Sequence, residues 1–245
     1  MVKLSVNVNK IATLRNSRGG ARPNVVQTAR TCIEAGCHGI TVHPRPDGRH
    51  IRRQDVLDLA KILTVEFNIE GYPSPEFLDL VCEVRPTQCT LVPDPPEALT
   101  SNAGWDLRGD VAWLSEVCKR LREHGVRVSL FLEPDPQQVR RVRYVGADRI
   151  ELYTEQYARL FHTAEREPVF EQYATAAAAA REEGLDVNAG HDLDLDNLPF
   201  FAQRIPHLAE VSIGHALISD ALEMGLRQSV KAYLRALGHF AEREV

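Results

Sequence analysis

The pattern that most constrains this fold is a series of short apolar runs with polar or charged residues at their ends. Eight such runs cover residues 4–9, 39–43, 67–70, 89–92, 128–133, 149–151, 187–191 and 211–215. Nearly all are followed by a helical pattern, and this alternation is typical of parallel strands in βα units. Eight units predict a single (β/α)₈ (TIM) barrel with extra helical segments, in which the chemistry lies where the strands end.

The connections between the runs predict helices and three unusually long loops. Helices are expected at about 23–36, 53–65, 74–84, 107–125, 135–145, 166–184, 194–204 and 218–240. No linker divides the chain, so we expect one domain over residues 1–245. The long loops span 10–22, 44–52 and 93–106. Long loops in a compact domain are often functional, and all three lie at the catalytic face of a barrel.

Composition and charge exclude several classes of protein. The net charge of −5 argues against a nucleic-acid partner, because phosphate backbones require a basic face. No apolar stretch is long enough to span a membrane, and the first strand begins too early for a signal peptide. The five cysteines have no CxxC spacing and are typical of reduced core residues. We therefore expect a cytoplasmic enzyme.

The end of strand 1 offers amides and cations. Asn7 and Asn9 alternate with Val6 and Val8, so both amides are expected to face the barrel mouth. The loop that follows carries three cations, Lys10, Arg15 and Arg18. Cations beside Gly19 and Gly20 in the same loop suit a phosphate group.

The end of strand 2 combines two histidines with an arginine. His43 ends the strand, and Arg45 and His50 follow in one loop. Pro44 and Pro46 flank Arg45 and stiffen its backbone. This rigid group favours a functional site over a structural histidine.

Carboxylates end three further strands. Glu70 follows a Phe/Ile strand, and desolvation there raises a carboxyl pKa toward the range of a general base. Glu151 ends strand 6 in a similar way. Glu133 is expected to be structural or peripheral, because Asp135 close behind it has the position of a helix N-cap.

The loop after strand 4 contains hydroxyls and carboxylates. Thr100 and Ser101 can donate hydrogen bonds to phosphate oxygens. We expect Asp94 and Glu97 to be solvated loop charges.

Strands 7 and 8 each present a Gly-His pair at the carboxyl end. These pairs are Gly190-His191 and Gly214-His215. The loops after these two strands often form the phosphate site of a barrel enzyme, from backbone N–H groups and a helix N-terminus. We expect His191 to protonate a leaving group and His215 to hold a phosphate.

Together these segments resemble the pyridoxine 5′-phosphate synthase family almost from end to end. The most specific strings are IATLRN-x-RG from Ile11, GITVH-x-R from Gly39, NAGH from Asn188 and IGHA-x-I from Ile213. The resemblance implies condensation of 1-deoxy-D-xylulose 5-phosphate with 3-amino-2-oxopropyl phosphate, with release of phosphate and water. It also implies a homo-oligomer, commonly an octamer.

The resemblance assigns a role to each matching position. His43 and Glu70 match proton acceptors, His191 a proton donor and Glu151 a carboxylate that stabilises the transition state. Contacts to the aminoketone phosphate match Asn7, Arg18, Gly214 and His215. Contacts to deoxyxylulose phosphate match Arg45, His50 and Thr100.

Two segments depart from the commonest family pattern. Many members have N-x-D-H after strand 1, where this chain has Asn9 and Lys10 in the last two positions. Many have GHG on strand 7, where this chain has Asp192 as the third residue. We expect all three residues to contact substrate. The negative charge of Asp192 is awkward beside an anion site unless its side chain turns away or caps the next helix.

Two other functions remain open from the residues alone. The histidines and glutamates at the strand ends suit a metal-dependent isomerase or aldolase, although strand 1 lacks the HxH pair used by many metal barrels and Arg45 disfavours a bound cation. A non-catalytic phosphosugar-binding barrel requires fewer acid and base groups. We expect phosphorylated small-molecule substrates and no bound metal. We also expect no nucleotide cofactor, because the chain has neither GxGxxG nor a P-loop.

Overall fold

Within residues 1–94 and 103–240, which the computed structural model describes, the chain folds into a closed barrel of eight parallel strands. The strands are β1 Lys3–Asn7, β2 Gly39–Val42, β3 Glu66–Gly71, β4 Gln88–Leu91, β5 Arg127–Leu132, β6 Arg149–Tyr153, β7 Asp186–Gly190 and β8 Leu208–Ile213. Each strand pairs with the next in chain order, and β8 closes the barrel against β1. The predicted (β/α)₈ architecture is confirmed.

Helices connect the strands and cover the outside of the barrel. They are α1 Asn9–Asn16, α2 Val25–Glu34, α3 Arg53–Ala60, α4 Pro75–Val84, α5 Ala112–Glu123, α6 Pro136–Arg141, α7 Glu155–Leu160, α8 Arg166–Glu182, α9 Leu198–Arg204, α10 His215–Met224 and α11 Leu226–Ala236. A 3₁₀ turn, Val142–Tyr144, follows α6. Asp135 caps α6 as predicted, because its side chain accepts the N–H of Gln137.

Two predictions about the connections are wrong. The segment 10–22 is not a loop throughout, because β1 leads directly into α1. The side chain of Asn7 accepts the N–H of Asn9 at 3.0 Å and satisfies a donor in the first turn of α1. The helix predicted over 218–240 is two helices, since Gly225 between α10 and α11 has a φ of 84°.

The barrel interior is lined by polar side chains, whereas bulky branched residues dominate most barrels of this kind. The hydroxyls of Ser5 and Thr41 lie 2.7 Å apart, and Arg149 donates to the Oδ1 of Asn188 at 3.3 Å. Other buried polar residues are Asn68, Gln88, Ser129 and Glu210. The apolar core therefore lies between the outer faces of the strands and the helices.

An aromatic cluster joins α7, α8 and α9. Its members are Tyr157, Phe161, Phe170, Tyr173, Phe200 and Phe201. The rings of Tyr157 and Phe201 lie 5.0 Å apart. The hydroxyl of Tyr157 donates to the carbonyl of Asn197 at 2.7 Å, so its one polar atom is satisfied.

Two further features bear on the class of protein. In the described ranges, no helix has the length and apolar character needed to cross a bilayer. The five cysteines carry free thiols, and all are buried except the half-buried Cys82.

We predict that Phe201→Ala destabilises the fold by about 3–5 kcal/mol, because the side chain of Phe201 is fully buried and its removal leaves a cavity in the cluster. Urea unfolding at fixed protein concentration measures the free energy of unfolding. Phe240→Ala is the matched control, since Phe240 is 63% exposed, and it should change stability by less than about 0.5 kcal/mol. Equal effects of the two changes would contradict the packing described here.

Candidate active site

A cavity of about 320 Å³ lies at the carboxyl ends of the strands. Its wall includes the four residues predicted to take part in acid–base chemistry, which are His43, Glu70, Glu151 and His191. It also includes the following predicted substrate contacts: Asn7, Asn9, Lys10, Arg45, His50, Asp192, Gly214 and His215. Strand ends far apart in sequence therefore form one polar site.

One predicted substrate contact, Arg18, does not line the cavity, and another, Thr100, is not among the described residues. Arg18 lies just beyond the end of α1, where its side chain is exposed and does not line the cavity. Thr100 lies outside the described residues, as do Ser101 and Glu97.

The three cations expected together at the mouth are separated by α1. Lys10, in the first turn, lines the cavity. Arg15 is buried and forms an ion pair with Asp55, in which Nη2 donates to Oδ2 at 2.8 Å. Arg15 and Asn16 also donate to the carbonyl of His50 at 3.1 and 2.8 Å. Arg15 therefore anchors the loop that carries His50.

The expectation that Asp94 is a solvated charge is wrong. Asp94 is buried, and its Oδ2 accepts a hydrogen bond from Nη2 of Arg45 at 2.9 Å. Both side chains are less than 5% exposed. A carboxylate can be buried away from water at such a site because the guanidinium beside it compensates its charge. A buried Arg45 required such a partner, but the sequence did not show which acidic residue supplies it.

His43 and Glu70 form a buried acid–base pair. His43 Nδ1 lies 3.8 Å from Glu70 Oε2. Burial, together with the positive charge of Arg45, lowers the pKa of His43 well below its usual value. Burial, together with the negative charge of Glu151, raises the pKa of Glu70 well above its usual value. At neutral pH the imidazole is therefore uncharged and able to accept a proton, while the carboxyl tends to retain one.

Glu151 is held deeper in the cavity. Burial and the nearby Glu210 raise the pKa of Glu151 to about 8, so most of it is protonated at neutral pH. The hydroxyl of Thr90 donates to its Oε2 at 3.3 Å. Its Oε1 lies beside Gly190, and a Cβ added at Gly190 would lie only 2.3 Å from this oxygen. Gly190 therefore makes room for the carboxyl group.

Asn7 and Asn9 organise the acid–base pair as well as lining the cavity. Asn7 Nδ2 donates to Glu70 Oε2 at 3.4 Å. Asn9 Oδ1 accepts the backbone N–H of His43 at 2.9 Å. The end of β1 thus fixes residues at the ends of β2 and β3.

His50 has a defined hydrogen-bonding state. Its Nδ1 accepts the N–H of Ile51 at 2.9 Å, so the neutral ring carries its proton on Nε2. Burial and the charge of Arg45 lower the pKa of His50 to about 4. At neutral pH it can donate one hydrogen bond from Nε2 without adding positive charge.

The turns after β7 and β8 bring the two Gly-His pairs to the cavity. His215 is the first residue of α10. Gly214, just before it, packs against Asn7: a Cβ added at Gly214 would lie 3.0 Å from the Cβ of Asn7. His191 and Asp192 have φ values of 76° and 57°. These left-handed conformations are uncommon outside glycine.

Sequence reasoning assigned no role to three polar residues around the site. Thr90 lies beside Glu151, and Thr154 donates to the carbonyl of Gly190 at 2.8 Å. Ser212 lines the cavity, and in the described part of the chain its buried hydroxyl has no hydrogen-bond partner. The only signal in the sequence was a hydroxyl residue beside a strand end, which is too common to single them out.

Among residues 1–94 and 103–240, no group of three or more His, Cys, Asp or Glu residues is arranged to hold a metal ion.

We predict that Gly190→Ala displaces the carboxyl of Glu151 and lowers turnover by about 100-fold, because small misplacements of reacting groups have effects of this size. The control is Gly109→Ala, where an added methyl group meets nothing within 4 Å. Steady-state kinetics on both folded variants measures the difference. Full turnover in Gly190→Ala would show that the position of Glu151 is not critical.

Solved structures share the fold at low sequence identity. Tryptophan synthase of Mycobacterium tuberculosis superimposes with a TM-score of 0.65 at 13% identity, over 96% of this chain and 92% of that chain. A phosphoribosylanthranilate isomerase from Thermotoga maritima gives a TM-score of 0.57 at 13% identity, over 97% and 99% of the two chains. These similarities support the barrel architecture alone.

Closer relatives identify the family. A protein of Bacteroides thetaiotaomicron named pyridoxine 5′-phosphate synthase is 54% identical over 97% of this chain and 100% of its own length. A protein of Porphyromonas gingivalis with the same name is 53% identical over 95% and 98% of the two chains. The family model for pyridoxal phosphate biosynthesis protein PdxJ matches residues 4–239. The chain therefore belongs to the PdxJ family of pyridoxine 5′-phosphate synthases, enzymes of vitamin B6 biosynthesis.

Proposed function

We propose that the cavity condenses 1-deoxy-D-xylulose 5-phosphate with 3-amino-2-oxopropyl phosphate to give pyridoxine 5′-phosphate, phosphate and water, without a metal or nucleotide cofactor. The observation that carries the proposal is the pair of His43 and Glu70, whose pKa values are shifted in opposite directions within one cavity. A pair with opposite shifts provides one group that accepts a proton and one that supplies it.

Ring formation requires repeated proton transfer, which suits this arrangement. An amine and a ketone must join, water must leave, and protons must move at several atoms. We assign His43 and Glu70 to proton transfer, and we assign Glu151, whose pKa is about 8, to stabilising charge beneath the reacting atoms. His191 protonates a leaving group.

Both substrates carry phosphate, so two anion sites are required. We assign the aminoketone phosphate to Asn7, Arg18, Gly214 and His215. The N-terminus of α10 supports this assignment, since backbone N–H groups and the helix dipole favour an anion there. We assign deoxyxylulose phosphate to the other side of the cavity, with contacts from Asn9, Lys10, Arg45, His50 and Thr100. Lys10 and Arg45 provide positive charge on that side.

We further infer that the protein is a cytoplasmic homo-oligomer. The family resemblance supports this inference, and light scattering on the purified protein tests the oligomeric state.

The purified protein should form pyridoxine 5′-phosphate from the two substrates and should retain activity after exhaustive chelation. Product formation followed by chromatography measures both. Activity lost on chelation and restored by one divalent ion would favour the metal-dependent isomerase or aldolase. Binding of both phosphates without any product would favour a non-catalytic barrel.

His43→Ala and Glu70→Gln should each lower kcat by about 100-fold or more, the usual effect of losing a general acid or base. Circular dichroism checks that each variant is folded. Asp47→Asn is a suitable control in the same loop as His50, because Asp47 is exposed and pairs with Arg49 rather than lining the cavity. A kcat like that of the wild type in either folded variant would refute the corresponding assignment.

A further inference from the structure

The side chain of Asp192 does not turn away from the cavity and does not cap a helix. Its Oδ2 contacts Nδ1 of His191, the residue before it. The hydrogen bond from His191 holds the pKa of Asp192 below its usual value, so the carboxylate remains ionised. The sequence left the charge of Asp192 unexplained, and this contact gives it a partner.

We propose that Asp192 is a positioning residue for His191. The two side chains form a carboxylate–imidazole pair, in which Asp192 holds the ring of His191 in place as a proton donor. The inference rests on the proposed function, in which His191 protonates a leaving group. Because Nδ1 contacts the carboxylate, we assign the proton transfer to Nε2. A ring that releases a proton from Nε2 while Nδ1 donates to a carboxylate carries protons on both nitrogens, and the carboxylate lies where it balances that charge.

The backbone of this turn is held in place around the pair. Both residues have left-handed backbones, which cost free energy in residues other than glycine. The side chain of Asn197 donates to the carbonyl of Asp192 at 3.1 Å, and the hydroxyl of Thr154 donates to the carbonyls of Gly190 and His191. A glycine would adopt this conformation without strain, so an aspartate here indicates a role for its side chain.

Other groups restrict the imidazole and share its electrostatic environment. The ring of Tyr153, on β6, meets that of His191 edge to face with centroids 5.0 Å apart. Titratable groups around the pair are Tyr153, Glu151 beneath Gly190, His215 on α10 and Lys10 on α1. His215 and Lys10 both stabilise the carboxylate of Asp192. The pair therefore adds little net negative charge beside the anion site.

The test compares Asp192→Asn with Asp196→Asn, an exposed aspartate four residues further along the same loop. Asparagine keeps the shape of the side chain and removes its charge. If the carboxylate favours imidazolium, its loss should move the alkaline limb of the kcat–pH profile to lower pH by about one unit. KM for both substrates should stay within about threefold, and Asp196→Asn should match the wild type. An unchanged profile, or a higher KM with an unchanged profile, would overturn the proposal and favour direct contact of Asp192 with substrate.

A measurement without substrate separates this proposal from the proposed function. With ¹⁵N-labelled histidine, NMR follows the titration of each imidazole, and His191→Gln identifies the signal of His191. The midpoint of that titration should fall in Asp192→Asn and remain unchanged in Asp196→Asn. This shift in a protein that fails to turn over the two substrates would support the pair while refuting the assigned reaction. A midpoint that does not move would overturn the pair, whatever the activity.

Discussion

The burial of several ionisable side chains inside a closed barrel is the constraint on which the site depends. Water cannot freely solvate these groups, so they must satisfy one another. Beneath the cavity, Gln88 Oε1 accepts from Arg127 at 3.0 Å, from Arg149 at 3.4 Å and from Asn188 at 3.4 Å. This network links strands on different sides of the barrel. It supports the cavity side chains above it, whose positions are fixed by rigid strands rather than by loops alone.

The same burial determines the protonation of the acid groups. The pKa of Glu151 is raised from 4.5 to about 8, so the folded protein retains a proton that the unfolded chain releases. Because the folded protein binds this proton more tightly than the unfolded chain does, Glu151 lowers the free energy of unfolding as the pH rises. This loss is absent below pH 4.5 and complete above pH 8. Glu210 contributes in the same direction, with a pKa of about 7. The protein thus maintains proton-holding carboxyls at some expense of stability, as is common at functional sites.

Much of the site was predictable because parallel βα units place strand ends on one face. His43, Glu70 and His191 required only the strand pattern and this rule to be grouped. Asp94 was not predictable, because its burial depends on Arg45, which lies 49 positions away in sequence. Arg18 was expected at the mouth, but α1 begins at Asn9 and the exposed Arg18 lies beyond its last turn. Short helices at strand ends are difficult to predict because they lack a long apolar repeat.

The sequence by itself determined the barrel, the strand ends that face the cavity and the residue types that suit proton transfer and phosphate. This was possible because strand periodicity and the order of strands and helices along the chain can be read directly from the amino-acid sequence. Only the tertiary structure decided which charges are paired and which groups lose water. The contacts of Glu151 with Gly190 and of Arg45 with Asp94 join segments distant in the chain. Desolvation and pairing depend on three-dimensional distance, and for this reason the protonation states of the site emerge only from the folded molecule.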